Sequence, residues 1–120
     1  MDKEEESIKI AVASSDGIVV NNHFGRAKTF YIYSVNESCI QLLEKRELEP
    51  VCEMGNHDDD RLRENLDKLI DCQYLLVSRI GDGARAAASG VGIEAFEIPG
   101  IIEKSIEKLI QYIKIQKLFE

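Results

Sequence analysis

Two short runs of the chain are apolar on both faces, and no other feature constrains the fold as strongly. Ile8-Lys9-Ile10-Ala11-Val12-Ala13-Ser14 alternates large apolar residues with small alanines, and Tyr74-Leu75-Leu76-Val77-Ser78 is apolar almost throughout. A strand of that composition needs cover on both sides, which puts it in the middle of a sheet flanked by helices. The aromatic and β-branched run Thr29–Val35 predicts a second strand, and Cys39–Arg46 a third, joined to it as an antiparallel hairpin. Charge accumulates toward the end of that third strand, as suits a sheet edge. Leu62, Leu66, Leu69 and Ile70 recur at helical spacing and predict a helix ending near Asp71-Cys72, with Asp58, Asp59 and Asp60 at its N-terminus. A short Ala-rich helix over Ala84–Gly90 with a glycine stop follows the Tyr74–Ser78 strand, then a strand over Ile93–Ile98. Ile102, Ile106, Leu109, Ile110 and Ile113 form the apolar face of a last, long helix. The order βββαβαβα predicts an α/β fold: a five-stranded mixed sheet covered by three helices.

At 120 residues the chain has the length of one domain, read as residues 8–120 behind a disordered acidic leader, residues 1–7. The 22 acidic and 15 basic residues leave a formal charge of −7. That balance argues against a nucleic-acid partner, which calls for a basic face, and against an anionic membrane surface. No apolar run reaches the roughly 18–20 residues of a membrane-spanning helix, and the leader has no apolar signal region, so a cytoplasmic location is expected. The cysteines are Cys39, Cys52 and Cys72, an odd number without a Cys-x-x-Cys pair, which excludes a zinc ribbon and a disulfide scaffold. Cys39 and Cys72 read as packing residues in or beside regular structure, leaving Cys52 as the thiol of functional interest.

Ligands of open α/β sheets bind beyond the carboxyl ends of the parallel strands. The first apolar strand ends at Ser14-Ser15-Asp16 and the other at Arg79-Ile80-Gly81-Asp82-Gly83. If the two strands are neighbours, Asp16 and the Gly81-Asp82-Gly83 turn share one crevice, where backbone N–H groups at a helix N-terminus would favour an anion. His23 lies in a polar loop, Asn22-His23-Phe24-Gly25-Arg26: Phe24 can anchor the loop, Gly25 permits an unusual backbone angle, and Arg26 adds positive charge beside a metal-binding imidazole. Cys52 and His57 are five residues apart with Gly55 between them, a thiolate–imidazole pair suited to a soft metal but short of a closed four-ligand shell.

Taken together, Lys9–Ser14 leading to Asp16-Gly17, Asn22-His23-Phe24-Gly25-Arg26-Ala27 before an aromatic strand, Ile80-Gly81-Asp82-Gly83-Ala84 opening a helix, and Gly92-Ile93 before the last strand resemble the dinitrogenase iron–molybdenum cofactor biosynthesis family, the NifX/NifB-like accessory domains. The resemblance covers roughly residues 8 to 116, and the His-Phe-Gly-Arg element is its most specific part. It implies a ribonuclease H-like fold with sheet order 3-2-1-4-5. It also implies non-enzymatic binding of an iron–sulfur or iron–molybdenum-type cluster in transit between cluster-assembly and recipient proteins, with His23 as the cluster-binding histidine. Cys52 and His57 look similar to a Cys-and-His loop of some family branches. The three-cysteine motif of radical-SAM domains is absent from the sequence, which therefore resembles the stand-alone small members. A monomer or weak homodimer is the expected state. Two other readings compete: a regulatory module binding a small anion or nucleotide at Gly81-Asp82-Gly83, and a divalent-metal nuclease using Asp16 and Asp82 with Asp58 or Glu64. The nuclease is disfavoured by Ala11 and Ala13, which stand where an inward acid would be needed.

Overall fold

The computed structural model describes residues 7–36, 39–53, 56–57 and 59–119; for residues 52, 53, 56 and 57 it describes the backbone alone. Residues 1–6 of the acidic leader, Gly55 and Asp58 thus lie outside the described residues. In chain order the elements are β1 (Ile8–Ala13), β2 (Val19–Val20), a 3-10 turn (Phe24–Arg26), β3 (Thr29–Val35), β4 (Ile40–Glu47), β5 (Cys52–Glu53), β6 (Asn56–His57), α1 (Asp59–Lys68), β7 (Tyr74–Val77), α2 (Asp82–Gly90), β8 (Glu94–Glu97), β9 (Gly100–Ile101) and α3 (Ile102–Leu118).

The main sheet has five strands in the order β4-β3-β1-β7-β8. β1 runs antiparallel to β3 and parallel to β7, β3 pairs with β4 antiparallel, and β7 pairs with β8 parallel. The alternation in β1 explains how the layers are filled. Ala11 and Ala13 face the apolar cluster that contains Leu62 and Leu66 of α1 and Ala84 and Ala88 of α2, and their small size leaves room for Phe24 and Phe30. Ile10 and Val12 face the other cluster, where Ile102, Ile106 and Leu109 of α3 close the sheet. Each apolar face of the strand is thereby removed from water.

Several boundaries differ from the sequence expectation. The third sheet strand begins at Ile40, and Cys39 is exposed rather than packed, because its N–H and C=O bond to Asn36 in the turn before the strand. α1 stops at Lys68, and Leu69–Asp71 form a turn. α2 starts two residues earlier than expected, at Asp82, and the glycine at positive φ that follows it is Gly92 (φ 87°), not Gly90. Gly25 is absent from the described glycines at positive φ; it sits inside the 3-10 turn.

Two small ribbons supplement the sheet. Val19–Val20 pair with Gly100–Ile101, clasping the segment before His23 to the start of α3. Cys52–Glu53 pair with Asn56–His57, with Cys52 opposite His57 in the backbone register. The segment entering this second ribbon is fixed by α1: Asn65, 2% exposed, donates to the Glu49 carbonyl at 2.6 Å, and Arg61 donates to that of Pro50 at 3.1 Å.

Candidate functional site

The loop that carries His23 is held against the end of β7. The Ser78 N–H donates to the Asn22 carbonyl at 3.0 Å, and the Phe24 N–H donates to the Arg79 carbonyl at 2.9 Å. His23 and Arg79 thus form a short parallel bridge that continues the sheet beyond β7. Phe24 fastens the loop from below: it is 2% exposed, and its ring meets Phe30 edge-on at 6.0 Å. His23 itself, Arg26 and Arg79 are exposed. The sequence therefore buries the aromatic residue of the His-Phe-Gly-Arg element and leaves its two polar side chains in solvent.

These residues border a cleft of about 530 Å³. One wall is His23, Phe24, Gly25 and Arg26; the facing wall is Arg79, Ile80, Gly81, Gly83 and Ala84; Val51 closes the side next to the Cys52 ribbon. Among the described residues the lining contains one imidazole and two guanidinium groups and no carboxylate, in a chain whose formal charge is −7. Gly81, at φ −72° and ψ 157°, precedes the first turn of α2 without a side-chain cap, so this N-terminus keeps its partial positive charge toward the opening. Neither Gly81 nor Gly83 has positive φ, and a Cβ built on either would meet no atom within 4 Å. Among the described residues, no neighbouring atom requires glycine at these two positions. Their effect is to leave the helix entrance bare, as close approach of a bulky ligand to the backbone would need.

The structure brings together His23, Phe24, Gly25, Arg26, Arg79, Gly81 and Gly83 of the residues singled out from sequence. Asp82 opens α2 but is not among the lining residues, and neither is Asp16. The Asp16 carboxylate is occupied by its own turn, where it accepts the Ile18 and Val19 N–H groups at 2.8 and 3.1 Å. Those bonds, with a further one from the Ser14 hydroxyl, hold its carboxyl below the usual carboxylate range. β5 packs beside the 3-10 turn, so the backbone of the Cys52–His57 ribbon neighbours the His23 wall; the side chains of Cys52 and His57 lie outside the described structure. Among the described residues, no group of three or more His, Cys, Asp or Glu side chains stands close enough to hold a metal ion. The carboxylate cluster that a two-metal nuclease needs is therefore not formed among them.

This architecture defines the protein first as a mixed α/β domain with a basic cleft at the end of its central strands. Solved structures of like fold include the crystal structure of PH0822 (TM-score 0.65, 20% identity, 87% of this chain and 91% of that one) and the NMR structure of the Thermotoga protein TM1290 (TM-score 0.57, 20% identity, 87% and 88%). The model of the dinitrogenase iron-molybdenum cofactor family matches residues 6–112, and the chain belongs to that family. Its relatives include the FeMo cofactor biosynthesis protein NifB of Frankia alni, 36% identical over 108 residues that are 87% of this chain and 21% of that protein. Protein NifX of Azotobacter vinelandii is 31% identical over 100 residues, 82% of this chain and 62% of NifX. The chain thus spans about a fifth of that NifB relative and under two thirds of NifX. Among the described residues, no helix is long and apolar enough to cross a membrane.

Proposed function

We propose that this protein binds a preformed iron–sulfur or iron–molybdenum-type cluster in the cleft and passes it on during cofactor assembly, without catalysing a reaction on it. The observation that carries this reading is the convergence of His23, Arg26, Arg79 and the bare α2 entrance on one cleft whose described lining contains no acid. Such a cluster is anionic and sulfide-rich. His23 supplies a borderline-soft ligand, while the guanidinium groups and α2 offset charge that the acidic chain would otherwise repel. A single imidazole on an open rim suits temporary custody, since a closed four-ligand shell would resist release. The backbone position of Cys52 and His57 beside this wall makes them the next candidate ligands. The family's name and that of the NifB relative, a FeMo cofactor biosynthesis protein, support a place in cofactor assembly, with cluster-assembly and recipient proteins as partners. We place the protein in the cytoplasm, as a monomer or weak homodimer, and read its sheet as ribonuclease H-like.

The test is anaerobic incubation of the purified protein with ferrous iron, sulfide and dithiothreitol, followed by desalting and analysis of iron, sulfide and visible absorbance. The wild type is expected to retain both elements and a sulfide-to-iron absorption band, and His23→Ala to lose most of the band. Equal retention by His23→Ala and wild type would remove His23 from the role. A second reading, small-anion binding at the α2 entrance, is favoured by Arg26 and Arg79. It would be supported if calorimetry detected phosphate or nucleotide binding in a protein that retains no iron.

A further inference from the structure

The peptide unit between Arg79 and Ile80 is gripped at both polar ends. Its carbonyl accepts the Phe24 N–H at 2.9 Å, and its N–H donates to Oε2 of Glu97 at 2.9 Å. The first bond belongs to the His23 wall of the cleft. The second comes from the end of β8, two strands away from β1 in the sheet. Glu97 does not line the cleft. It is fixed by the ladder, where it faces Val77 and where the Ile98 N–H reaches the Val77 carbonyl at 3.1 Å. Arg85 of α2 lies alongside but beyond hydrogen-bond distance of it: Nη2 is 3.7 Å from the same Oε2 in an exposed pair that contributes little, while Nη1 donates to the Ala95 carbonyl at 2.8 Å.

From this geometry we infer that Glu97 is a positioning residue for the cleft, setting the plane of the Arg79–Ile80 peptide and through it the spacing of the His23 wall and the α2 entrance. This inference rests on the cluster-binding reading above. A rotation of that peptide would move the Arg79 side chain, the bridge to His23 and the Gly81 cap together, because all three are attached to it or to its immediate neighbours. A carboxylate is suited to the task, since a charge-assisted hydrogen bond holds an N–H more firmly than a neutral one. Its distance from the cargo also matters: a carboxylate inside the cleft would oppose an anionic cluster, whereas one beyond the lining orients without occupying the space.

The experiment compares wild type with Glu97→Ala, Glu97→Gln and Arg85→Ala, using two readouts. In protein free of cargo, hydrogen exchange at the Ile80 amide is measured by NMR. It is expected to accelerate about tenfold in Glu97→Ala, the equivalent of one net hydrogen bond, and by less in Glu97→Gln, which keeps an acceptor oxygen without the charge. After anaerobic loading with ferrous iron and sulfide, Glu97→Ala is expected to show reduced retention and altered cluster EPR g-values. Both should be restored in Glu97→Gln, and Arg85→Ala should resemble wild type. Unchanged exchange and unchanged cluster spectra in Glu97→Ala would overturn the inference, as would an Arg85→Ala variant that reproduces the loss. If the wild type retains no cluster, the cargo reading falls, and Ile80 exchange still decides whether Glu97 fixes the peptide.

Discussion

Arg46 grips Asp71 through two parallel contacts, Nη1 to Oδ1 and Nη2 to Oδ2, both 2.8 Å long. The pair ties edge strand β4 to the turn that leaves α1, and Nη1 also donates to the Lys68 carbonyl at 2.7 Å. Hydrogen bonding from Arg46, ahead of a further bond from Lys9, holds the Asp71 carboxyl far below the usual carboxylate range. A carboxyl depressed in the folded state stabilises the protein above the unfolded value near pH 4, and that contribution fades as pH falls toward the folded value. Asp71→Asn is therefore expected to lower stability at pH 7 by about 1 kcal/mol, a modest figure because solvent reaches the pair. Urea unfolding at pH 7 and pH 3 checks this, and the gap between variant and wild type should narrow at the lower pH.

Gly17 has φ 77°, and a Cβ there would stand 3.0 Å from the Tyr31 ring. Gly17→Ala combines a disfavoured backbone angle with a clash, so a loss of about 1–2 kcal/mol is expected in thermal or urea unfolding. An unchanged midpoint would mean that the Ser14–Val20 turn relaxes freely.

Gly83→Ala should behave in the opposite way. The position has no positive φ and open space around a Cβ, and it lies within the first turn of α2. Replacing glycine there is expected to stabilise the fold by about 0.5–1 kcal/mol while adding a methyl group to the cleft wall. Higher thermal stability together with weaker retention of iron and sulfide would separate the needs of the helix from those of the cargo. Undiminished retention would show that the bare entrance is not where the cargo rests.

The thiols should differ sharply in reactivity. Burial pushes the Cys72 thiol up to about 12, whereas Cys39 is exposed at the start of β4. With iodoacetamide at pH 8, Cys39 is expected to alkylate quickly and Cys72 only after unfolding, since the thiolate is the nucleophile. Peptide mass spectrometry over a time course reads both. Rapid labelling of Cys72 in the native state would contradict its burial.

What could be read from sequence follows the range of each signal. The alternation in β1 and the apolar run of β7 span several residues, so periodicity exposed them, along with α1 and α3. The ribbons Val19–Val20 with Gly100–Ile101 and Cys52–Glu53 with Asn56–His57 are two residues per strand, too short to carry a period. His23 and the Gly81–Gly83 turn stood out because a polar loop after an apolar strand has few structural uses, yet their convergence depended on β1 and β7 being neighbours. Asp16 looked like a ligand for the same reason, although its carboxylate serves the turn it sits in. Glu97 gave no signal at all. In sequence it is one more charged residue on an edge strand, and its bond to Ile80 exists only through the pairing of β7 with β8.

The cleft draws its walls from residues 23–26, 51, 79–81, 83 and 84, and the Arg79–Ile80 peptide in one wall is held from Phe24 and Glu97. It has no local precursor. Contacts of such long sequence separation close late, because the entropy of each intervening loop is spent before the contact stabilises anything. The pocket is therefore complete only once β7 lies between β1 and β8 in the sheet. Topology thereby makes the cleft a property of the folded sheet as a whole, and any ligand of it a ligand of the folded state alone.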